Sequence, residues 1–222
     1  MSFGKNLQYL RQLSRNMTQE ALAEKLNVSR QTISKWEMDA ANPEMDKALE
    51  ICRIFNCSLD NLFRDEMDNR SDAYSNLRVE EVPGFRYIEH TVISTEPESD
   101  AISRMYRIAK ENGIDCPRVI GWDFPNLSQE QVNIFNMHGY TAALILPDGL
   151  KLDGVNVREQ SDHKYVAIHI DKPFDNPFVT IPGAYHTLDD YMRTNCLEKV
   201  YNEVIPCFET DGESMDVYIA CK

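Results

Sequence analysis

The sequence predicts two unlike parts: an all-α N-terminal domain of five short helices, then an α+β domain with an antiparallel sheet and two helices. Two observations carry that expectation. Apolar spacing changes from a three-and-four rhythm to strand-like alternation beyond residue 77. Charge changes with it: residues 1–64 hold nine Lys/Arg against eight Asp/Glu, a net of +1, whereas residues 65–222 hold 14 against 28, a net of −14. Such asymmetry argues for domains with different partners. Between them, Arg64 to Asn76 is nearly devoid of core-forming residues and reads as a linker. The expected organisation is therefore a domain over 1–64, a linker over 65–77 and a domain over 78–222.

In the first part, Ser2 can cap a helix whose apolar face is Phe3, Leu7 and Leu10. Thr18 caps a second, with Ala21, Leu22 and Leu26 on one face, and Asn27 follows as a residue that tolerates a left-handed turn. Ser29 caps a third over Arg30 to Glu37, with Ile33 and Trp36 facing inward. Pro43 lies near the start of a fourth helix carrying Met45, Ala48, Leu49, Cys52 and Phe55. A last helix after Ser58 offers Leu59, Leu62 and Phe63.

Two helices joined by a tight turn, the second with a polar outer face, form a helix-turn-helix. The run Met17-Thr18-Gln19-Glu20-Ala21-Leu22-Ala23-Glu24-Lys25-Leu26-Asn27-Val28-Ser29-Arg30-Gln31-Thr32-Ile33-Ser34-Lys35-Trp36-Glu37 resembles the Cro/C1-type, xenobiotic-response-element helix-turn-helix family, a likeness that continues through Pro43 to Phe63. Asn27 replaces the usual turn glycine, and Met38-Asp39 stands where a basic residue and glycine are common. The resemblance implies sequence-specific binding of double-stranded DNA by a regulator of transcription. A helix fits the major groove, and its N-terminal residues reach base edges. Arg30 suits guanine, Gln31 suits adenine, and Lys35 can reach a base or a phosphate. Ser29 and Thr32 supply hydroxyls on the same side, while Gln19 starts the preceding helix, where a phosphate can bind. A domain of net +1 binds weakly as a single copy, so a homodimer on a palindromic operator is expected.

Beyond residue 77, the stretch from Leu77 to Val92 reads as one strand bent at Pro83-Gly84, and Pro97 to Gly113 as a helix. Residues 118–124 and 140–146 then read as strands. The order repeats with a strand over 163–171, extended chain over 179–185, a helix over 188–204 and closing strands at 207–209 and 215–221. Strand–helix–strand–strand twice describes a pseudo-duplicated domain. The segments Glu81-Val82-Pro83-Gly84-Phe85-Arg86, Ile181-Pro182-Gly183-Ala184-Tyr185 and Met215-Asp216-Val217-Tyr218-Ile219-Ala220 resemble the gyrase-inhibitor-like domain found as an effector domain in AraC- and MerR-type regulators. Asp216 and Ala220 depart from that family's usual glutamate and proline.

The second resemblance implies a groove for a small aromatic or cationic effector, with Trp122, Phe124, Tyr140, Tyr165, His169, Asp216 and Tyr218 as candidate ligand-binding residues. Aromatic faces hold flat or cationic molecules, and a desolvated carboxylate adds charge selectivity. No motif fixes a nucleophile, and the five histidines show no metal spacing, so no catalytic residue, metal or cofactor is expected. Two alternatives stand beside the regulator: a small-molecule hydrolase using His169 or His186, and an acidic DNA mimic acting on gyrase. No apolar run reaches the roughly 18 residues of a membrane span. The six cysteines form no C-x-x-C pair and read as reduced thiols of a cytoplasmic protein.

Overall fold

The computed structural model describes residues 3–14, 17–64, 73–150, 152, 154–202 and 204–222. By compactness the chain divides into two units, Met1–Asp72 with Phe178–Glu198, and Ala73–Pro177 with Lys199–Lys222.

The first unit begins with five helices: α1 (Phe3–Leu13), α2 (Gln19–Leu26), α3 (Arg30–Glu37), α4 (Met45–Ile54) and α5 (Leu59–Phe63). Leu7, Leu10, Leu22, Leu26, Ile33, Phe55 and Leu62 are fully buried, as the helical rhythm selects. The expected α4 face is corrected: Ile51 is buried in place of Met45 and Leu49, which are exposed, as is Phe63 of α5. The Thr18, Ser29 and Ser58 hydroxyls accept from the backbone N–H three residues on, as N-caps do. Ser2 and most of the expected linker, 65–72, lie outside the described residues. Gly4 lets α1 approach the end of α3, because a Cβ there would sit 2.5 Å from the Trp36 and Glu37 carbonyl oxygens.

The second unit contains β1 (Tyr74–Val82), β2 (Phe85–Ser94), α6 (Pro97–Glu111), β3 (Arg118–Asp123), α7 (Gln129–Asn133), β4 (His138–Ile145), β5 (Arg158–Gln160), β6 (His163–Ile170), β7 (Cys207–Thr210) and β8 (Met215–Ala220). Its strands make one antiparallel sheet in the order β1-β6-β8-β7-β3-β4-β2-β5. The first repeat, β2-α6-β3-β4, and the second, β6-α8-β7-β8, meet at the β3–β7 pair. Here α8 is the helix Pro177–Thr194. The flanking strands are exchanged: β1 pairs with β6 of the second repeat, and β5 with β2 of the first.

One face of the sheet packs Ile88, Val119, Tyr140, Ala142 and Leu144 with Ala101, Met105 and Ala109 of α6. The other face carries Tyr87, Ile120, Ala143, Ile145, Tyr165, Phe208 and Ala220. Side chains alternate between the two because the strand period is two.

Four further expectations are corrected. The stretch 77–92 is not one bent strand, since the Pro83-Gly84 corner sends β1 and β2 to different neighbours. Residues 74–77, placed in the linker, begin β1, and Tyr74 and Ser75 pair with β6 ahead of a register shift before Arg78. The short helix α7 was not foreseen. Residues 179–185 are helical rather than extended, and the helix ends at Thr194 rather than near 204. Burial explains the last: Thr180, Ala184, Thr187, Leu188, Tyr191 and Met192 recur at helical spacing and outweigh the strand propensity of Val179 to Ile181. Cys196, in the left-handed region at φ 54°, closes α8, and the Leu197 N–H bonds the Met192 carbonyl at 2.9 Å.

This helix groups with the N-terminal helices, so the expected continuous 78–222 domain is interrupted by it. The Tyr9 hydroxyl donates to Asp190 at 3.4 Å. Asn56 and Arg193 exchange two side chain-to-carbonyl bonds of 3.1 Å.

Candidate functional site

The first candidate surface is built by the α2–turn–α3 unit. Asn27 takes the left-handed conformation (φ 52°) that the turn requires, and its N–H closes α2 on the Ala23 and Glu24 carbonyls. Ser29 caps α3, and its hydroxyl also meets that of Thr32 at 2.9 Å. Two of the predicted hydroxyls are thus engaged in holding the start of the helix. Arg30, Gln31 and Lys35 are exposed and line a shallow surface groove with Ser34 and Met38. Neither Arg30 nor Lys35 has an ion-pair partner among the described residues.

Gln19 starts α2, as expected, with its amide engaged by the protein itself. Its amide donates to Glu37 Oε2 at 2.9 Å, and the same carboxylate takes a two-pronged bond from Arg11, at 2.6 and 3.1 Å. Arg11 also reaches the Met17 carbonyl at 2.6 Å. Glu37, with a side chain only 5% exposed, thereby ties α1 and α2 to the end of α3 and fixes the angle at which Arg30 and Gln31 are presented. Asp39, where the family resemblance expects glycine, adopts φ 53° and accepts from the Gly4 N–H at 2.8 Å. That bond helps hold a conformation glycine would adopt without strain.

The second candidate is a cavity of about 650 Å³ in the second unit, on the face of the sheet opposite α6. Tyr87, Glu89 and Thr91 of β2 enter it from one side, with Trp122 of β3, Phe124 just beyond it, and Thr141 of β4. Arg158 and Gln160 of β5 and the segment 204–206 complete the wall. Tyr165 lies beneath, donating to the Ile205 carbonyl at 2.8 Å and accepting from Gln160 at 3.0 Å. Gln160 in turn accepts from the Ile205 N–H at 2.9 Å, so this side of the cavity is rigidly bonded. Thr91 and Thr141 share a 2.7 Å bond, and Glu89 pairs with Arg158 at 2.9 Å.

The seven residues expected in one groove fall in different places. Trp122 and Phe124 line the cavity. Tyr140 points to the α6 side, lying across Gly121, where a Cβ would meet its hydroxyl. Tyr165 is fully buried. His169, Asp216 and Tyr218 form a separate polar cluster with β1. In it His169 Nδ1 meets Asp216 Oδ1 at 2.8 Å, and Arg78 bonds Glu80 at 2.8 Å, the Tyr218 hydroxyl at 3.1 Å and Asp216 at 3.5 Å. The Arg78 guanidinium beside Glu80 holds that carboxyl below the usual range. Tyr218 stacks on Phe208 at 4.5 Å and is pushed above the usual tyrosine range, first by burial.

Sequence reasoning missed Tyr87, Glu89, Thr91, Arg158 and Gln160. The alternation Tyr87, Glu89, Thr91 on one strand face was a readable signal. The contribution of β5 was not, because a three-residue strand carries no periodicity. Among the described residues no group of His, Cys, Asp and Glu could hold a metal ion, and no helix is long and apolar enough to cross a membrane.

An exposed cation-and-amide helix start on a capped helix-turn-helix, carried with a separate α+β unit, defines a DNA-binding protein of the helix-turn-helix class. The helix-turn-helix family matches residues 7–62. The transcriptional activator BcrR of Enterococcus faecalis is 44% identical over 66 residues, which cover 30% of this chain and 32% of that one. This chain thus spans about a third of BcrR's length. The transcriptional regulator ImmR of Bacillus subtilis (strain 168) is 30% identical over 118 residues, covering 51% of this chain and 92% of ImmR. The chain belongs to the xenobiotic-response-element type of helix-turn-helix transcriptional regulators. Among solved structures, the EcmrR–DNA complex aligns over 96% of this chain and 80% of that one, with 13% identity and a TM-score of 0.47. A likeness that distant says nothing about what this chain binds.

Proposed function

We propose that this regulator reads a palindromic operator as a homodimer and that a small aromatic or cationic effector in the cavity alters its grip on DNA. The observation that carries the effector half of this reading is the cavity itself. Three aromatic side chains and the Glu89 carboxylate, 22% exposed, surround a volume suited to a drug-sized molecule. The DNA half rests on α3, where Arg30, Gln31 and Lys35 are exposed and, among the described residues, take part in no ion pair. The resemblance of the second unit to gyrase-inhibitor-like domains supports the same division of labour. Such a regulator acts in the cytoplasm, where its operator is and where thiols stay reduced.

Binding without turnover is the expected chemistry. His169 is paired with Asp216 at 2.8 Å and lies 3.5 Å from Asp171, so its described polar partners are carboxylates and not a hydroxyl or thiol nucleophile. The test has two stages. The full chain selects its operator from a random DNA pool, and a panel of aromatic and cationic compounds is screened for a rise in melting temperature. A compound that stabilises the protein must also change operator affinity by about 5- to 150-fold, the range of ordinary coupling. A panel that shifts nothing, or stabilises without touching operator affinity, refutes the effector reading.

A further inference from the structure

The two repeats can be superposed by register. Tyr87 stands opposite Ile145 and Arg158, and Tyr165 opposite Ala220 and Glu80. Stepping along the strands equates Thr91 with His169, Thr141 with Asp216, and Ala143 with Tyr218. Each repeat therefore has a pocket-forming position beside its flanking strand, and the two have diverged. In the second repeat the place of Ala143 is filled by the Tyr218 ring. Arg78 of the flanking strand lies 5.7 Å from the centroid of that ring, within reach of both Glu80 and Asp216. That pocket is closed by the protein's own cation over its own aromatic.

In the first repeat the ring is absent and the cavity is open, yet an arginine from the flanking strand reaches in here too. Arg158 pairs with Glu89 at 2.9 Å and stands across the strand pair from Tyr87. The two arginines differ in how firmly they are held. Arg78 has two carboxylates and a ring, and its side chain is 22% exposed. Arg158 has one carboxylate, sits on a three-residue edge strand, and is 53% exposed. A half-exposed single pair is worth little, so it is readily exchanged.

Resting on the reading of this cavity as a ligand site, we propose that Arg158 is a resident competitor. It occupies Glu89 in the unliganded protein, and a cationic ligand must displace it. The pair then acts as a selectivity filter. A neutral molecule gains nothing from Glu89, because the carboxylate stays neutralised by Arg158, whereas a cation exchanges one ion pair for another and releases Arg158 to solvent.

The test compares two probes of nearly the same shape, methyltriphenylphosphonium and neutral triphenylphosphine oxide, by titration calorimetry on the full chain. Arg158→Ala is expected to bind the cation about five-fold tighter than the parent, with the oxide unchanged. Arg158→Lys keeps a competitor and stays near the parent, and it serves as the control for folding of β5. Combining Glu89→Gln with Arg158→Ala removes the preference for the cation. Parent protein that binds the cation while Arg158→Ala gains nothing overturns the competitor role alone. An equal gain for both probes makes Arg158 a mere obstacle and also overturns it. Failure of every variant to bind either probe overturns both this inference and the cavity reading on which it rests.

Discussion

Arg30 and Gln31 stand at the exposed start of a capped helix, and their proposed use against DNA depends on residues that do not contact it. Arg30→Ala should cost about 1–3 kcal/mol of operator binding and relax preference at one base position, measured by affinity for operator variants. Lys35→Ala, if Lys35 meets a phosphate, should instead weaken binding to all sequences and lower the salt slope by about one. Glu37 is the residue that orients them. Replacing it with Gln leaves Arg11 buried beside an uncharged partner, and the loss in unfolding free energy should approach the roughly 3–5 kcal/mol of a broken buried pair. A urea denaturation curve showing less than about 1 kcal/mol would mean that solvent compensates Arg11. The proposed DNA-reading residues could be named from sequence because they sit in one contiguous motif. The Glu37 hub was not, because its partners Arg11 and Gln19 lie 26 and 18 positions away in sequence and meet it only through packing.

At the level of elements, local signals succeeded where cap, rhythm and stop agreed and failed where propensity and packing disagreed. Helices α2, α3 and α5 carry side-chain caps and a buried apolar position in step, so they were readable, whereas the uncapped α4 was read with the wrong inward face. In α8 the β-branched run and Pro182-Gly183 argued for extended chain, and the burial of one helical face decided the matter. The cavity was half legible: Trp122 and Phe124 could be named, but which tyrosines faced it depended on register, and a step of one residue turns Thr141 toward the cavity and Tyr140 away from it. Helix α6 supplies a pH-dependent prediction. Burial, and then Asp123 and Asp211, push the Glu98 carboxyl above its ordinary 4.5. A raised acid contributes stability below that value and loses it as pH rises through the folded-state pKa. Glu98→Gln should therefore melt higher than the parent at neutral pH, with the difference shrinking as pH falls toward 4.5. Gly121→Ala tests the same face of the sheet, where the Tyr140 ring lies across it. Displacing the Tyr140 ring should cost about 1–3 kcal/mol, measured in urea.

For the whole molecule, the net charge of −13 is an average over unlike parts. A DNA-binding segment of net +1 cannot hold DNA by bulk attraction, so affinity has to come from a few placed groups, which the proposed homodimer would double. The expected outcome is cooperative binding to two half-sites about 34–36 Å apart, with sharp loss when half a helical turn is inserted between them. Footprinting of spaced operators measures it, and insensitivity to spacing would argue for independent monomers.

The exchange of flanking strands sets the order in which the sheet can be completed as the chain is made. β1 leaves the ribosome well before its pairing partner β6, and Val82 waits for His163. Until then β1 has no ladder to join, while β2, β3 and β4 already form a contiguous sheet among themselves. Contacts so distant in sequence are slow to close and leave an unpaired edge exposed in the meantime. The charged run in β1, Arg78, Glu80 and Glu81, sits on that waiting edge, where charge discourages pairing with another copy of the same nascent chain.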